Sequence, residues 1–256
     1  MWITCMFEHR KEDLEKIRKE SRGRTSEKKG WREEMEGKEI MKHVDHTLLK
    51  PFASWEEIRN LCMEAIEYQA ASVCVPPCYV RRISETFGDQ LRICTVIGFP
   101  LGYSCMEAKK EEAVQAIKDG AHEIDMVINL TDVKNGDFAK VKEEIERIRS
   151  VTEGKILKVI IETCYLTKEE KEALCRIVTE AGADYIKTST GFGTAGAVME
   201  DIQLMKAGIG PEVRIKAAGG IRTKEDMEAF LQAGCDRIGT SSAVSLIRGG
   251  TSQTGY

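Results

Sequence analysis

From residue 43 onward, short runs of apolar and often β-branched residues alternate with longer amphipathic stretches. The short runs predict buried β-strands, because strands that are covered on both faces read as nearly continuous apolar segments. Eight such runs lie at residues 43–47, 71–75, 92–97, 123–128, 156–162, 183–188, 213–217 and 235–240. The stretches between them predict helices.

Two of the amphipathic stretches begin with a recognisable helix start. Ser54 is followed three residues later by Glu57, and Thr167 is followed in the same way by Glu170. This spacing predicts a capping box, in which each side chain satisfies a backbone N–H at the start of the helix. We therefore expect helices over residues 54–68 and 167–181.

Glycines that end predicted helices reveal a weak internal repeat. Gly120, Gly182 and Gly234 are each followed by a turn and a buried strand, at separations of 62 and 52 residues. Each separation is about two β/α units. About eight such units in roughly 215 residues predict an α/β fold, a single closed (β/α)8 TIM barrel. An open doubly wound sheet is the alternative, although it usually has fewer strands at this length.

The N-terminal part of the chain has a different composition. Residues 8–39 are mostly Glu, Lys and Arg, with little apolar periodicity. Such a segment predicts a solvated helix or a disordered extension. We therefore expect a charged extension over residues 1–40 and a barrel domain over residues 41–256.

Charge and composition narrow the possible partners. The 256 residues carry a formal net charge of −4, so a basic surface for nucleic acid or an anionic membrane is not expected. No apolar run reaches the roughly 18 residues of a membrane span. The apolar start Met1–Phe7 precedes the charges, whereas a signal peptide has the opposite order. Nine cysteines without zinc-type spacing favour reduced thiols, and hence a cytoplasmic protein without a metal site.

Charged residues stand at or near the ends of several predicted strands, where a barrel forms its active face. They are Asp125, Lys158, Glu162, Lys187 and Lys216. Because burial of an unpaired ammonium group is costly, each lysine should either pair with a carboxylate or lose its proton. Lys187 and Lys216 stand on neighbouring predicted strands, and a second ammonium group nearby favours a neutral, nucleophilic amine. The alternative, open above all for Lys158, is that the lysines only form stabilising ion pairs.

Loops rich in small residues follow the sixth, seventh and eighth predicted strands, at residues 188–193, 217–220 and 239–242. Small residues let backbone N–H groups approach a phosphate, and barrels often bind phosphate after strands seven and eight. The G-x-G-x-x-G match at residues 191–196 is weak evidence for a dinucleotide, because it follows the sixth strand and lacks a suitably spaced acid. His46 and Cys74 are interpreted as structural residues.

Six motifs occur in order along the chain: Asp45–Pro51, Val96–Gly102, Asp125–Asn129, Lys158–Thr163, Tyr185–Gly191 and Lys216–Arg222. Through them, the sequence from about Met41 to its end resembles the bacterial deoxyribose-phosphate aldolases, a family of class I aldolases with a barrel fold. The resemblance implies reversible cleavage of 2-deoxy-D-ribose 5-phosphate to D-glyceraldehyde 3-phosphate and acetaldehyde. It also implies a lysine Schiff base, no cofactor and, as in many relatives, a homodimer.

The resemblance further implies residue roles. Lys187 matches the imine-forming lysine, Lys216 the lysine that perturbs it, and Asp125 the carboxylate that works with water as acid and base. Substrate-binding positions are implied at Asp45, Thr47, Lys158, Gly191, Gly219, Gly220, Gly239, Ser241 and Ser242. Tyr256 matches a terminal tyrosine that assists proton transfer. Phe192 stands where some relatives carry a phosphate-binding lysine, so weaker phosphate affinity is expected.

Two other functions are compatible with a phosphate-binding barrel. An isomerase or epimerase would use the carboxylates alone and form no covalent adduct. A non-catalytic relative would bind sugar phosphates without releasing acetaldehyde. The pair of lysines at positions 187 and 216 favours the aldolase over both.

Overall fold

A computed structural model of the protein describes residues 37–250. Most of the expected N-terminal extension, and also Tyr256, lie outside the described residues. The boundary at residue 40 therefore stays a prediction. No helix in the described range is long and apolar enough to cross a bilayer.

Eight parallel strands form a closed barrel in chain order, and the first strand pairs with the last. The strands are β1 Val44–Thr47, β2 Ser72–Val75, β3 Ile93–Ile97, β4 Glu123–Val127, β5 Ile156–Ile160, β6 Tyr185–Lys187, β7 Arg214–Ala218 and β8 Arg237–Thr240. The prediction of a single (β/α)8 barrel is confirmed. The open sheet is excluded by the pairing of Val44 with Ile238, which closes the ring.

Helices lie between the strands and cover the barrel. They are α1 Trp55–Tyr68, α2 Val80–Phe87, α3 Met106–Lys118, α4 Leu130–Lys134, α5 Phe138–Val151, α6 Lys168–Glu180, α7 Met199–Gly208, α8 Lys224–Ala233 and α9 Ala243–Ile247. Both predicted capping boxes are present, at Ser54 before α1 and at Thr167 before α6. A third, at Thr223 before α8, was not predicted.

The repeat glycines adopt the backbone conformation that their position requires. Gly120, Gly182 and Gly234 have φ values of 109°, 72° and 109°. L-residues with a Cβ rarely adopt such angles, so glycine is favoured where the chain leaves a helix and enters the next strand.

The two faces of each strand have opposite character. In β4, Ile124 and Met126 belong to the continuous apolar core between the strands and the helices. Because side chains alternate along a strand, Glu123 and Asp125 face the barrel interior instead. Barrel interiors are usually filled by Val, Ile and Leu. Here charged groups occupy much of that space, so the interior itself is the first candidate for a functional site.

A buried ion pair fixes the carboxyl end of β4. The Lys109 ammonium donates to Glu144 Oε1 at 2.5 Å and to the Val127 carbonyl at 2.8 Å. The other oxygen of Glu144 accepts the Asn129 N–H at 3.1 Å. Helices α3 and α5 therefore hold the backbone that leaves β4 just after Asp125.

One predicted strand ends earlier than expected. The apolar pattern predicted a strand over residues 156–162, but β5 ends at Ile160 and Glu162 adopts a left-handed conformation with φ 51° and ψ 67°. The Glu162 carboxylate accepts hydrogen bonds from Thr190 in the loop after β6. This tertiary contact, which a local pattern does not encode, turns the backbone away from the strand direction.

Candidate active site

The centre of the site is the carboxylate of Asp125, which is fully buried in the barrel. Its Oδ1 accepts from Lys158 Nζ at 2.8 Å and from Cys94 Sγ at 3.1 Å. Its Oδ2 accepts from Lys187 Nζ at 2.8 Å and from Lys216 Nζ at 2.7 Å. Burial alone would raise the pKa of Asp125, but the three ammonium groups outweigh it and hold the pKa well below its ordinary value. Asp125 is therefore an anion that contacts three lysine ammonium groups.

Strand register explains why these side chains meet. Asp125 of β4 pairs with Lys158 of β5, and Lys187 of β6 pairs with Lys216 of β7. Paired positions on adjacent parallel strands point to the same side of the sheet. The expectation that Lys187 and Lys216 stand on neighbouring strands is confirmed.

Asp45 of β1 is the second buried carboxylate. It accepts hydrogen bonds from Lys216 Nζ, from the Arg237 guanidinium and, at 2.7 Å, from Ser72 Oγ. Lys158 Nζ lies 3.6 Å away. Burial would raise the pKa of Asp45, but these cationic neighbours lower it far below its ordinary value. Lys216 thus bridges two carboxylates.

Glu123 and Arg237 complete the cluster, although the sequence analysis did not select them. Glu123 Oε2 lies 2.5 Å from Lys158 Nζ and 3.1 Å from the Arg237 guanidinium. Both residues begin their strands, whereas the sequence criterion looked for charge near strand ends. The available signal was the spacing of two residues between Glu123 and Asp125, which places both on one face of β4.

Charge balance singles out one lysine. The described side chains of this cluster comprise four basic and three acidic groups. The basic groups are Lys158, Lys187, Lys216 and Arg237, and the acidic groups are Asp45, Asp125 and Glu123. With every group ionised, the buried cluster would hold one excess positive charge, which a low-dielectric interior disfavours.

The three lysines differ in the number of carboxylates that they contact. Burial would lower the pKa of both Lys158 and Lys216, but carboxylates outweigh burial and raise both values, so these two remain protonated. Lys187 meets one carboxylate of the cluster, Asp125, whereas Lys158 and Lys216 each meet at least two. Lys187 is therefore the lysine of this cluster with the fewest carboxylate contacts. The contacts of Lys158 agree with the alternative structural interpretation, and its role as a substrate ligand stays a prediction.

The predicted phosphate loops meet at the carboxyl-terminal rim. Gly191, Gly219 and Gly220 have φ values of 89°, 77° and 74°, which favour glycine. A Cβ on Gly196 would lie 2.3 Å from the Gly219 carbonyl, so the loops after β6 and β7 pack backbone against backbone. This packing leaves no room for a side chain at Gly196. The phosphate-binding role of the loops stays a prediction.

A cavity of about 300 Å³ lies at the same rim, between β1, α1 and the loop after β8. Thr47, Ser241 and Ser242 line it together, as do His46 and Lys50. A larger groove of about 690 Å³ lies outside the barrel between α6 and α7, and no residue of the charged cluster lines it. The rim cavity thus brings together three of the predicted substrate-binding residues.

Three further predicted positions can be placed. A Cβ on Gly239 would lie 3.2 Å from Lys216 Cε, so Gly239 makes room for that lysine. His46 is buried and its Nε2 lies 2.8 Å from Glu64 Oε2, outside the charged cluster. The ring of Phe192 packs edge-on against Phe99 with centroids 5.3 Å apart. The loop after β6 therefore presents an apolar side chain at this position, as the sequence showed.

Metal binding at the cluster is opposed by its own charges. Two described groups have ligand atoms close enough for one ion, Cys74–Cys94–Asp125 and Asp45–Cys94–Glu123. The carboxylates in both groups already contact lysine or arginine cations. A divalent ion would have to displace those cations from a buried site, so the donor set does not fit a resident metal.

The lowered pKa values of Asp45 and Asp125 predict acid lability. Each ordinary value is 3.8, so the stability that the two carboxylates contribute is present above about pH 4 and is lost as the pH falls toward their native values. The raised pKa values of Glu144 and Glu162 act in the opposite direction, because their contribution is lost as the pH rises. We expect the free energy of unfolding to fall by about 2 kcal/mol or more between pH 5 and pH 3.

Urea unfolding curves at pH 6, 5, 4 and 3 measure this loss. Asp45→Asn should show a shallower pH dependence, because it lacks one of the two low-pKa carboxylates. The exposed Glu153→Gln variant is the control and should keep the wild-type slope. Equal midpoints at pH 6 and pH 3 in the wild type would contradict the assignment.

The sequence is similar to those of known aldolases. The family model for DeoC/LacD family aldolases matches residues 39–247. The deoxyribose-phosphate aldolase of Clostridium botulinum (strain Alaska E43 / Type E3) is 63% identical over 222 residues, covering 87% of this chain and all of the relative. That of Clostridioides difficile (strain 630) is 52% identical over 211 residues, covering 82% of this chain and 96% of the relative.

Solved structures of aldolases also resemble this chain. The deoxyribose phosphate aldolase from Aeropyrum pernix, described as a tetramer, superposes with a TM-score of 0.76 at 34% identity, covering 83% of this chain and 91% of that one. An aldolase named QR15 superposes with a TM-score of 0.79 at 40% identity, covering 82% and 95% of the two chains. The resemblance stated from the six motifs is thereby confirmed. The chain belongs to the DeoC/LacD family of aldolases.

Proposed function

We propose that this protein is a class I aldolase that reversibly cleaves 2-deoxy-D-ribose 5-phosphate to D-glyceraldehyde 3-phosphate and acetaldehyde, with Lys187 as the nucleophile. The observation that carries the proposal is the position of Lys187 in a buried cluster with one excess basic group, where it has one carboxylate partner. Curated relatives at 52–63% identity are named deoxyribose-phosphate aldolases, which supports the substrate.

The reaction begins when the neutral Lys187 amine attacks C1 of the open-chain sugar. Loss of water gives an imine, which becomes an electron sink when it is protonated. The proton then leaves the C3 hydroxyl, the C2–C3 bond breaks, and its electron pair enters the imine system as an enamine. Glyceraldehyde 3-phosphate departs. Protonation of the enamine at C2 and hydrolysis of the imine release acetaldehyde and restore Lys187.

Asp125 and Lys216 set the conditions for these steps. Asp125 stays ionised, orients the Lys187 amine through Oδ2 and, with water, transfers protons. Lys216 shares that same oxygen and keeps its positive charge, which favours the neutral form of Lys187 and the loss of charge from the attacking amine. The imine supplies the electron sink, so the proposed reaction uses no cofactor.

The remote end of the substrate provides orientation. We assign its phosphate to the rim loops that contain Gly191, Gly219, Gly220, Ser241 and Ser242, and its hydroxyl groups to Asp45 and Thr47. Binding energy from the phosphate would hold C1 close to Lys187 Nζ. Tyr256 lies outside the described residues, and its proposed part in proton transfer rests on the resemblance alone. A cytoplasmic homodimer completes the proposal, although the Aeropyrum pernix relative is described as a tetramer.

Product analysis tests the function. Purified protein is incubated with 2-deoxy-D-ribose 5-phosphate, and the two products are followed separately through NADH-coupled reduction of acetaldehyde and oxidation of glyceraldehyde 3-phosphate. We expect the two products in equal amounts. Conversion of the sugar without acetaldehyde would favour the isomerase or epimerase. Saturable binding without turnover would favour the non-catalytic relative.

A further inference from the structure

Glu162 is a buried acid that the proposed mechanism does not use. It follows β5, the strand beside that of Lys187, and the residue is 2% exposed. Its left-handed backbone, with φ 51°, is unusual for a residue other than glycine. Such a conformation persists where the surrounding contacts determine it, and the Glu162 side chain makes such contacts.

The Glu162 carboxylate is bound to the loop that carries Gly191. Both of its oxygens lie 3.2 Å from the Thr190 backbone nitrogen, whose N–H they accept, and Oε2 also accepts the Thr190 hydroxyl. The Thr190 hydroxyl oxygen in turn accepts the N–H of Phe192 at 3.0 Å. Glu162 and Thr190 thus form a relay that fixes two alternate peptide groups of the loop.

This relay determines which N–H groups remain available. The N–H groups of Thr190 and Phe192 are committed to the relay. Among the hydrogen bonds of the described residues, neither the Gly191 nor the Gly193 N–H is a donor. Alternate N–H groups of a tight loop can converge on an anion, as they do in backbone nests. The relay therefore frees the groups that a phosphate would need.

The Glu162 carboxylate also packs against the loop at Gly193. A Cβ on Gly193 would lie 3.1 Å from Glu162 Cδ and 2.9 Å from Cys164 Sγ. Farther along, Ala197 N–H donates to the Ala218 carbonyl at 3.1 Å, which joins this loop to the end of β7. A shift of Glu162 would therefore reach the backbone on both sides of the predicted phosphate position.

We propose that Glu162 is a positioning residue that holds the loop after β6 in the shape that binds the substrate phosphate, and so sets the preference for phosphorylated over unphosphorylated sugar. The inference rests on the proposed function for its substrate. Its distinctive consequence is selectivity: Glu162 also interacts electrostatically with Lys187, but loss of the relay should affect the phosphorylated sugar more than the unphosphorylated one.

Kinetics with two substrates test this consequence. In Glu162→Gln, one donor–acceptor pair of the relay is mismatched, because the amide nitrogen cannot accept from Thr190. We expect the KM for 2-deoxy-D-ribose 5-phosphate to rise about tenfold, the effect of losing one charged hydrogen bond. We expect kcat/KM for unphosphorylated 2-deoxy-D-ribose to stay within about twofold. Glu169→Gln, an exposed acid at the start of α6, is the matched control.

Two further measurements keep the outcomes separate. Glu162→Gly relieves the left-handed backbone but removes the carboxylate, so it should show the same selective loss if the relay, rather than backbone strain, is what matters. Affinity for inorganic phosphate, measured by calorimetry, should fall about tenfold in both variants and does not depend on turnover. If the wild type cleaved neither sugar but phosphate affinity still fell in the variants, the proposed function would fail and the positioning role would stand.

Equal losses with both sugars, together with unchanged phosphate affinity, would overturn the inference. Circular dichroism and thermal unfolding show whether each variant is folded. If Glu162→Gln did not fold, Glu162→Gly would provide the same comparison.

Discussion

Lys187→Ala is expected to lower kcat for cleavage of 2-deoxy-D-ribose 5-phosphate by about 1000-fold or more, because the covalent route needs its amine. The fold is expected to survive. Removal of this lysine leaves three basic and three acidic groups in the buried cluster, so no carboxylate is left without a partner. The measurement is steady-state kinetics together with a thermal unfolding curve.

Borohydride trapping identifies the nucleophile directly. Reduction in the presence of acetaldehyde, followed by peptide mass mapping, should place a two-carbon adduct on Lys187 in the wild type and none in Lys187→Ala. Lys168→Ala, an exposed lysine at the start of α6, should react as the wild type does. An adduct on Lys216 or Lys158 would keep the aldolase but reverse the roles. Turnover of Lys187→Ala within tenfold of the wild type would rule Lys187 out.

The second large effect concerns Lys216. Lys216→Met removes the ammonium that shares Asp125 Oδ2 with Lys187. The cluster then holds three basic and three acidic groups, and protonated Lys187 no longer creates excess charge. We expect kcat/KM at pH 7 to fall about 100-fold, because the cation that disfavours a second positive charge at Lys187 is lost.

A second variant distinguishes this electrostatic role from a structural one. Lys216→Arg keeps a cation beside Asp125 Oδ2 and should recover part of the activity that Lys216→Met loses. Steady-state kinetics of both variants, with thermal unfolding curves, measure the difference. Equal losses in two folded variants would show that Lys216 acts through packing instead.

Most of the fold could be predicted from local patterns. All eight strands were located to within two residues at each end, because strands covered on both faces carry an unbroken apolar signal. The largest difference at the carboxyl end of a strand is at β5, where the conformation of Glu162 depends on its contact with Thr190, 28 positions away. A local pattern carries no information about such a contact.

The site was predictable where a charge interrupts an apolar strand, and this signal found Asp125, Lys187 and Lys216. The distances between them, and the oxygen atom of Asp125 that the two lysines share, depend on the register of the strands. That register is defined only in the folded barrel. Local patterns do not show how many carboxylates each lysine contacts in the folded barrel. That number, rather than the presence of two lysines, is what distinguishes Lys187 from Lys158.

The charged interior has a consequence for how the barrel is assembled. Its acids, Asp45, Glu123 and Asp125, all lie on the first four strands, and its bases, Lys158, Lys187, Lys216 and Arg237, all lie on the last four. Two like halves brought together would bury like charges against one another, whereas unlike halves neutralise each other. The polar network that serves the chemistry therefore also dictates that an N-terminal half-barrel can close only on a C-terminal one.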